Sequence, residues 1–238
     1  MDTRASRSTG SGQAGRLRAV RTATAVMAAV AVLAIQPAPA RADTFATNFF
    51  PAHWGPNQHL TVATNNPYYK SVAVIDNTGD PSLSQHIQTF AQIINALHNG
   101  YNTNYPVILY YQNIAFAPGQ PCALGPPQFL VLCKDETLGG TGSPSAPGSA
   151  AIFPGPAPAN HIFYAIGRFR PSLVDPMCSG DKFRLVVQIF SNTLGLDYNL
   201  SNGASAMFPT IPLGGCGLVG WTQAELDRMN LMYNHAVG

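Results

Sequence analysis

The segment from Ser179 to Gly195, SGDKFRLVVQIFSNTLG, places the hardest constraint on how this 238-residue chain can fold. Phe183, Val186, Val187, Phe190 and Leu194 recur at helical spacing, and Gly195 offers a left-handed stop, so the pattern predicts a helix. That helix is apolar on most of its sides. A helix without a broad polar face has to lie in an interior, and the remaining elements must therefore enclose it.

Two further helices can be placed from their ends. Asp80-Pro81 is a cap with proline at the first helical position, after which Leu83, Ile87, Phe90, Ile94 and Leu97 form one apolar stripe that stops at Asn99-Gly100. Thr222-Gln-Ala-Glu225 has the form of a capping box opening a last helix that buries Leu226, Met229 and Tyr233. Strands are expected at Leu60–Ala63, Ser71–Ile75, Val107–Tyr111, Gln128–Leu132 and His161–Phe169, where β-branched and aromatic residues cluster between Pro, Asn and Gly. Together these elements predict an α+β domain, a mixed sheet with helices packed on it.

Charge is scarce and unevenly placed. Residues 1–42 hold six Arg and one Asp, whereas residues 43–238 hold seven basic and ten acidic side chains. Such a mildly acidic body lacks the clustered cations that a nucleic-acid surface needs. Arg16, Arg18 and Arg21 precede an apolar run from Ala23 to Ile35 and then Ala40-Arg41-Ala42, the pattern of a secretory signal peptide cleaved after Ala42. The run is shorter than the ~20 residues needed to span a bilayer. The expected product is a secreted or cell-envelope domain, residues 43–238, with no membrane span and with cysteines free to oxidise.

Four cysteines allow three pairings. The preferred pairs are Cys122–Cys133, closing a Pro/Gly loop, and Cys178–Cys216, tying the start of the apolar helix to the loop before the last one. A zinc cluster is disfavoured, because no Cys-x-x-Cys pair exists. Gly139–Pro158, dense in Gly, Pro, Ser and Ala, reads as a surface loop.

Familiar catalytic motifs are missing. There is no Gly-x-Ser-x-Gly elbow, phosphate loop or dinucleotide fingerprint. Residues 43–238 hold two Glu, Glu136 in a loop and Glu225 in a cap, which leaves little for a paired-carboxylate mechanism. The six His, at 53, 59, 86, 98, 161 and 235, form no His-x-x-x-His pair, and His53 and His59 lie in a Pro/Gly segment.

One stretch carries a resemblance. LVVQIFSNTLGLDYNLSNGASAMFP from Leu185, followed after a glycine-rich loop by GWTQAELDRMNLMYN, resembles the C-terminal half of a metzincin zinc peptidase, in particular the matrixin branch and its bacterial relatives. In that family a helix bears His-Glu-x-x-His, a glycine turns the chain, a third His completes the zinc site, a Met-turn underlies the metal, and a final helix follows. The resemblance implies that Gly195 and Asp197 belong to the turn, Met207 and Pro209 to the Met-turn, and Thr222 to Tyr233 to the closing helix. All four reactive positions differ: Gln188 and Asn192 stand for the first two His, Ile189 for the general-base Glu and Tyr198 for the third His. Amides are weak zinc ligands, and isoleucine can take no proton from water.

The resemblance therefore implies a pseudopeptidase without zinc or other cofactor, a module that binds a protein or peptide. Gln188, Asn192, Tyr198, Met207 and His161 are its candidate cleft residues. One alternative is an active zinc endopeptidase with unconventional ligands such as His161, Asp197 and Asp175; another is a cell-envelope structural protein.

Overall fold

The computed structural model describes residues 43–47, 52–54, 70–100, 107–113, 122, 129–140, 143–155, 161–210 and 214–233. Residues 1–42, expected to form a leader, the strand expected at Leu60–Ala63, His59 and His235 lie outside them. Six strands are described: β1 (His53–Trp54), β2 (Lys70–Asn77), β3 (Val107–Asn113), β4 (Phe129–Lys134), β5 (Gly148–Pro154) and β6 (His161–Phe169). Four helices accompany them: α1 (Pro81–Gly100), α2 (Pro171–Val174), α3 (Ser179–Thr193) and α4 (Gln223–Tyr233).

The sheet is mixed. β3, β2, β4 and β6 lie side by side and parallel, and β5 runs antiparallel along the far edge of β6. Ile162 pairs with Trp54 on one side and Pro154 on the other, so β1 shares the β4 edge of β6. Alternation along β2 and β4 sorts the core. Val72, Val74, Leu130 and Leu132 join one large apolar cluster with residues of all four helices, while Ile75, Val131, Cys133 and Ile166 form a smaller cluster on the opposite face.

The apolar helix occupies the interior as its sequence requires: thirteen of its residues are buried, Phe183 to Thr193 without interruption. Phe90 of α1 meets Phe190 and Trp221 edge-on at 5.4 and 5.3 Å, which locks α1 to α3 and to the approach of α4. Both disulfides are Cys122–Cys133 and Cys178–Cys216, the preferred pairing.

Two expectations need correction. The stretch Gly139–Pro158 is not loop throughout, because Gly148–Pro154 forms β5. Its Gly and Ala content, which suggested a loop, suits a strand that lies close over α3: a Cβ at Gly148 would stand 3.1 Å from the Ile189 side chain and 2.8 Å from the Arg168 carbonyl. His53 is not in irregular chain either. It is buried in β1, its ring edge-on to His161 at 4.9 Å and to Tyr233 at 5.8 Å.

Asp80 caps α1 as its position predicts, accepting from Ser82 N at 2.9 Å and Leu83 N at 3.3 Å, and its other oxygen meets Lys134 Nζ at 2.8 Å. Burial pushes its carboxyl upward, but the Lys134 bond and the two backbone donors outweigh this and hold it below its ordinary 3.8. A lowered pKa contributes stability above pH 3.8 that is lost as pH falls through the folded value. Asp80→Ala should cost ~1 kcal/mol at neutral pH, and the deficit should shrink in urea titrations as pH falls below 3.8.

Candidate functional site

The site grows from the C-terminal end of α3. Gly195 N donates to Asn192 O and Leu196 N to Ser191 O, each at 3.0 Å, the paired bonds of a Schellman cap around a glycine at φ +92°. Aromatic side chains take the remaining carbonyls. Trp54 Nε1 donates to Thr193 O at 2.9 Å and the Tyr233 hydroxyl to Leu194 O at 2.6 Å, so β1 and α4 clamp the turn from two sides. Beyond it the chain is fixed again: Ala46 N donates to Tyr198 O at 2.9 Å, and Phe45 bridges to Asn199.

The next turn returns beneath α3. Met207 is fully buried, its N–H donating to Ser205 Oγ at 2.8 Å and its carbonyl accepting from Asn199 N at 2.9 Å. One residue on, Phe208 O accepts from Gln188 Nε2 at 2.7 Å, which joins the middle of α3 to this turn. Gln188 and Tyr198 thus face one space. They line a cavity of about 370 Å³ together with Ser145 to Gly148, Leu173, Met177, Leu185, Pro209 and Thr210.

Among the described residues, no charged side chain lines this cavity. Its wall is nevertheless held by a buried cation. Arg170 Nε donates to Glu136 O at 3.0 Å, Nη1 donates to Ser143 O at 3.0 Å and also to Pro144 O, and the Arg170 N–H donates to Pro147 O at 2.8 Å. Spending the guanidinium on carbonyls fixes the 143–147 wall while presenting no charge to the cavity.

The other candidates are placed as follows. Asn192 is fully buried with its amide against the Tyr198 hydroxyl. Burial raises the Tyr198 hydroxyl above its ordinary 10, with the Asn192 amide pulling the other way, so it is a protonated donor at neutral pH. Ile189 points at the sheet, where Cβ atoms at Gly148 and Gly167 would stand 3.1 and 2.7 Å from its side chain. Asp197 is fully buried in the turn. Met207 lies in the core rather than on the cavity surface, while Pro209 is on the rim. His161 is not brought to the cavity: it sits against His53 at the start of β6.

Gln188, Ile189, Asn192 and Tyr198, which the resemblance would set at zinc-site positions, do not fit that ion, since two amides, an isoleucine and a phenol offer no imidazole, thiolate or carboxylate. Nor do the unconventional ligands assemble. Asp175 pairs with Lys134 Nζ at 2.6 Å, and among the described residues His161, Asp197 and Asp175 form no metal-sized group. Cys178, Asp181 and Cys216 do cluster, but the two sulfurs are bonded to each other.

Sequence reasoning missed one feature. Glu225 is fully buried and does more than cap α4: besides Thr222 N at 2.7 Å it accepts from Asn199 Nδ2 at 3.0 Å and from the Ser205 hydroxyl. It thereby ties α4 to both segments that shape the site. A scan against protein-family models finds no match to the chain, and no curated protein matches it.

Proposed function

We propose that this chain is a secreted, catalytically inactive metallopeptidase homologue of metzincin type, a module that binds an extended peptide in its cleft. One observation carries the reading: Gln188, Tyr198 and Pro209, separated in sequence, border a single uncharged cavity at the positions where the resembled family keeps its zinc and Met-turn. The Schellman turn at Gly195 and the buried Met207 beneath α3 support it. So does β5. Among the described residues its outer edge pairs with no strand, and Ser145 to Gly148 lead from the cavity wall into that edge, so an incoming peptide can hydrogen-bond to the strand while one side chain enters the cavity. The two disulfides, and the lack of any helix among the described residues long and apolar enough to cross a membrane, are compatible with export.

Filling the cavity tests the reading. Peptides selected from a random display library on the wild-type protein should bind Ala146→Trp at least tenfold more weakly, with the thermal midpoint unchanged. Equal binding to both proteins would move the partner surface elsewhere.

A further inference from the structure

The cavity's chemistry also says what kind of side chain it takes. This inference rests on the peptide-binding reading and refines it.

A charged occupant is disfavoured, because among the described residues the lining offers no counter-ion and a desolvated unpaired charge is costly. A purely apolar one leaves polar groups unanswered. Gln188 Nε2 must be the donor to Phe208 O, and that bond fixes the amide, leaving Oε1 as an acceptor for an occupant's N–H or O–H. Tyr198 supplies the complementary group, a hydroxyl that burial keeps protonated. Behind it Asn192 is fully buried, and its amide bonds the phenol oxygen, the contact that pulls the hydroxyl back down against burial. With the phenol oxygen accepting from Asn192, the Tyr198 proton is the part of the hydroxyl left to donate to an acceptor in the cavity.

We propose that the cavity selects a peptide side chain ending in a primary carboxamide, whose N–H donates to Gln188 Oε1 and whose carbonyl accepts from the Tyr198 hydroxyl. A carboxamide is neutral and carries donor and acceptor on one planar group, the combination the two residues ask for. Glutamate matches its shape but adds charge and lacks the donor. Methionine matches its length but lacks both.

The test uses N-acetyl, N-methylamide derivatives of Gln, Asn, Glu and Met, titrated into the isotopically labelled full chain and followed by NMR at the backbone amides of Ala146 and Gly148 in the cavity wall, with the Gln188 side-chain amide as a second reporter in the wild type. Every probe carries the same two backbone amides, so recognition of a peptide unit gives equal affinities and recognition of the side chain does not. At least one carboxamide probe should bind about tenfold more tightly than the Glu and Met probes, the effect of one to two additional hydrogen bonds. In Gln188→Leu, checked for an unchanged fold by its amide spectrum, the preference over Met should disappear while Met binding remains. Tyr198→Phe, which keeps the ring and removes only the hydroxyl, should lose the preference too. Met or Glu binding as tightly as both carboxamides, or a preference that survives in both variants, would overturn the carboxamide assignment and leave the cleft standing. Failure of all four probes to shift the Ala146, Gly148 and Gln188 amides, together with unaltered library binding in Ala146→Trp, would remove the cleft as well.

Discussion

Gly195→Val should destabilise the protein by about 4 kcal/mol or more, lowering its thermal midpoint by roughly 8–16 °C for a domain of this size. Two independent causes add. The residue sits at φ +92°, where a β-branched side chain is strongly disfavoured, and a Cβ there would stand 1.9 Å from Ala52 O. That carbonyl belongs to the backbone entering β1, so it cannot swing aside as a flexible side chain would. Relief requires β1 and the α3 turn to separate, which also breaks the Trp54 and Tyr233 bonds to the last carbonyls of α3. Gly203→Ala is the control: nothing lies within 4 Å of its added Cβ and its φ is ordinary, so its midpoint should move by no more than a degree or two. Equal midpoints for Gly195→Val and Gly203→Ala, measured by circular dichroism, would contradict this account of the turn.

Glu225→Ala should cost about 3–5 kcal/mol, because it strands three donors in the interior at once. Thr222 N, the Ser205 hydroxyl and Asn199 Nδ2 all end on this carboxylate. Asn199 Nδ2 keeps only its other bond, to Asp43 at 2.6 Å. The pH dependence identifies the group. Burial raises the Glu225 carboxyl above its ordinary 4.5, against the opposing hydrogen bonds from Ser205, Thr222 and Asn199. A raised pKa means that its contribution is full below about pH 4.5 and is eroded as pH rises through the folded value. Glu225→Gln, which does not ionise, lacks that slope. The stability gap between wild type and this variant, from urea unfolding, should narrow as pH rises from 4 to 8; a gap that widens would show that the carboxylate is stabilised by its neighbours rather than penalised by burial.

Helices were the legible part of this fold. Their signals are local, a proline at the first turn, a stripe at helical spacing, a glycine at the exit, and each acts through backbone bonds made within a few residues. His161–Phe169, rich in branched and aromatic residues, matches β6 end to end for a similar reason. β5 was hidden, because its small residues serve contact with α3 and not strand propensity. Gly148 and Gly167 are small so that Ile189 can approach the sheet, and that need exists only once the layers are stacked. His53 in β1 was concealed in the same way, since two residues of strand are specified by the register of β6 and not by their own sequence.

The candidate site divides along the same line. Gln188, Asn192 and Tyr198 were singled out by the resemblance, and Gly195 by its place after the last apolar helical position. The partners of those residues were not. Phe208 O orients Gln188, Arg170 fixes a wall that contains none of the cavity's chemistry, and Glu225 holds two segments separated from it by 20 and 26 residues. A capping box explains Glu225 fully at the level of sequence, which is why nothing pointed to its second task. His161 was grouped with the cleft for its ligand chemistry alone, and pairing in β6 carries it to the other end of the strand's neighbourhood, against His53.

The most direct test of the central claim is the zinc content of the purified protein by native and elemental mass spectrometry, after dialysis against trace zinc. The account predicts a cooperatively folded chain with essentially no bound zinc, because Gln188, Ile189, Asn192 and Tyr198 provide no ligand set for it. One tightly held zinc per chain, lost together with peptide cleavage on adding a chelator, would contradict it and make the protein an active metallopeptidase.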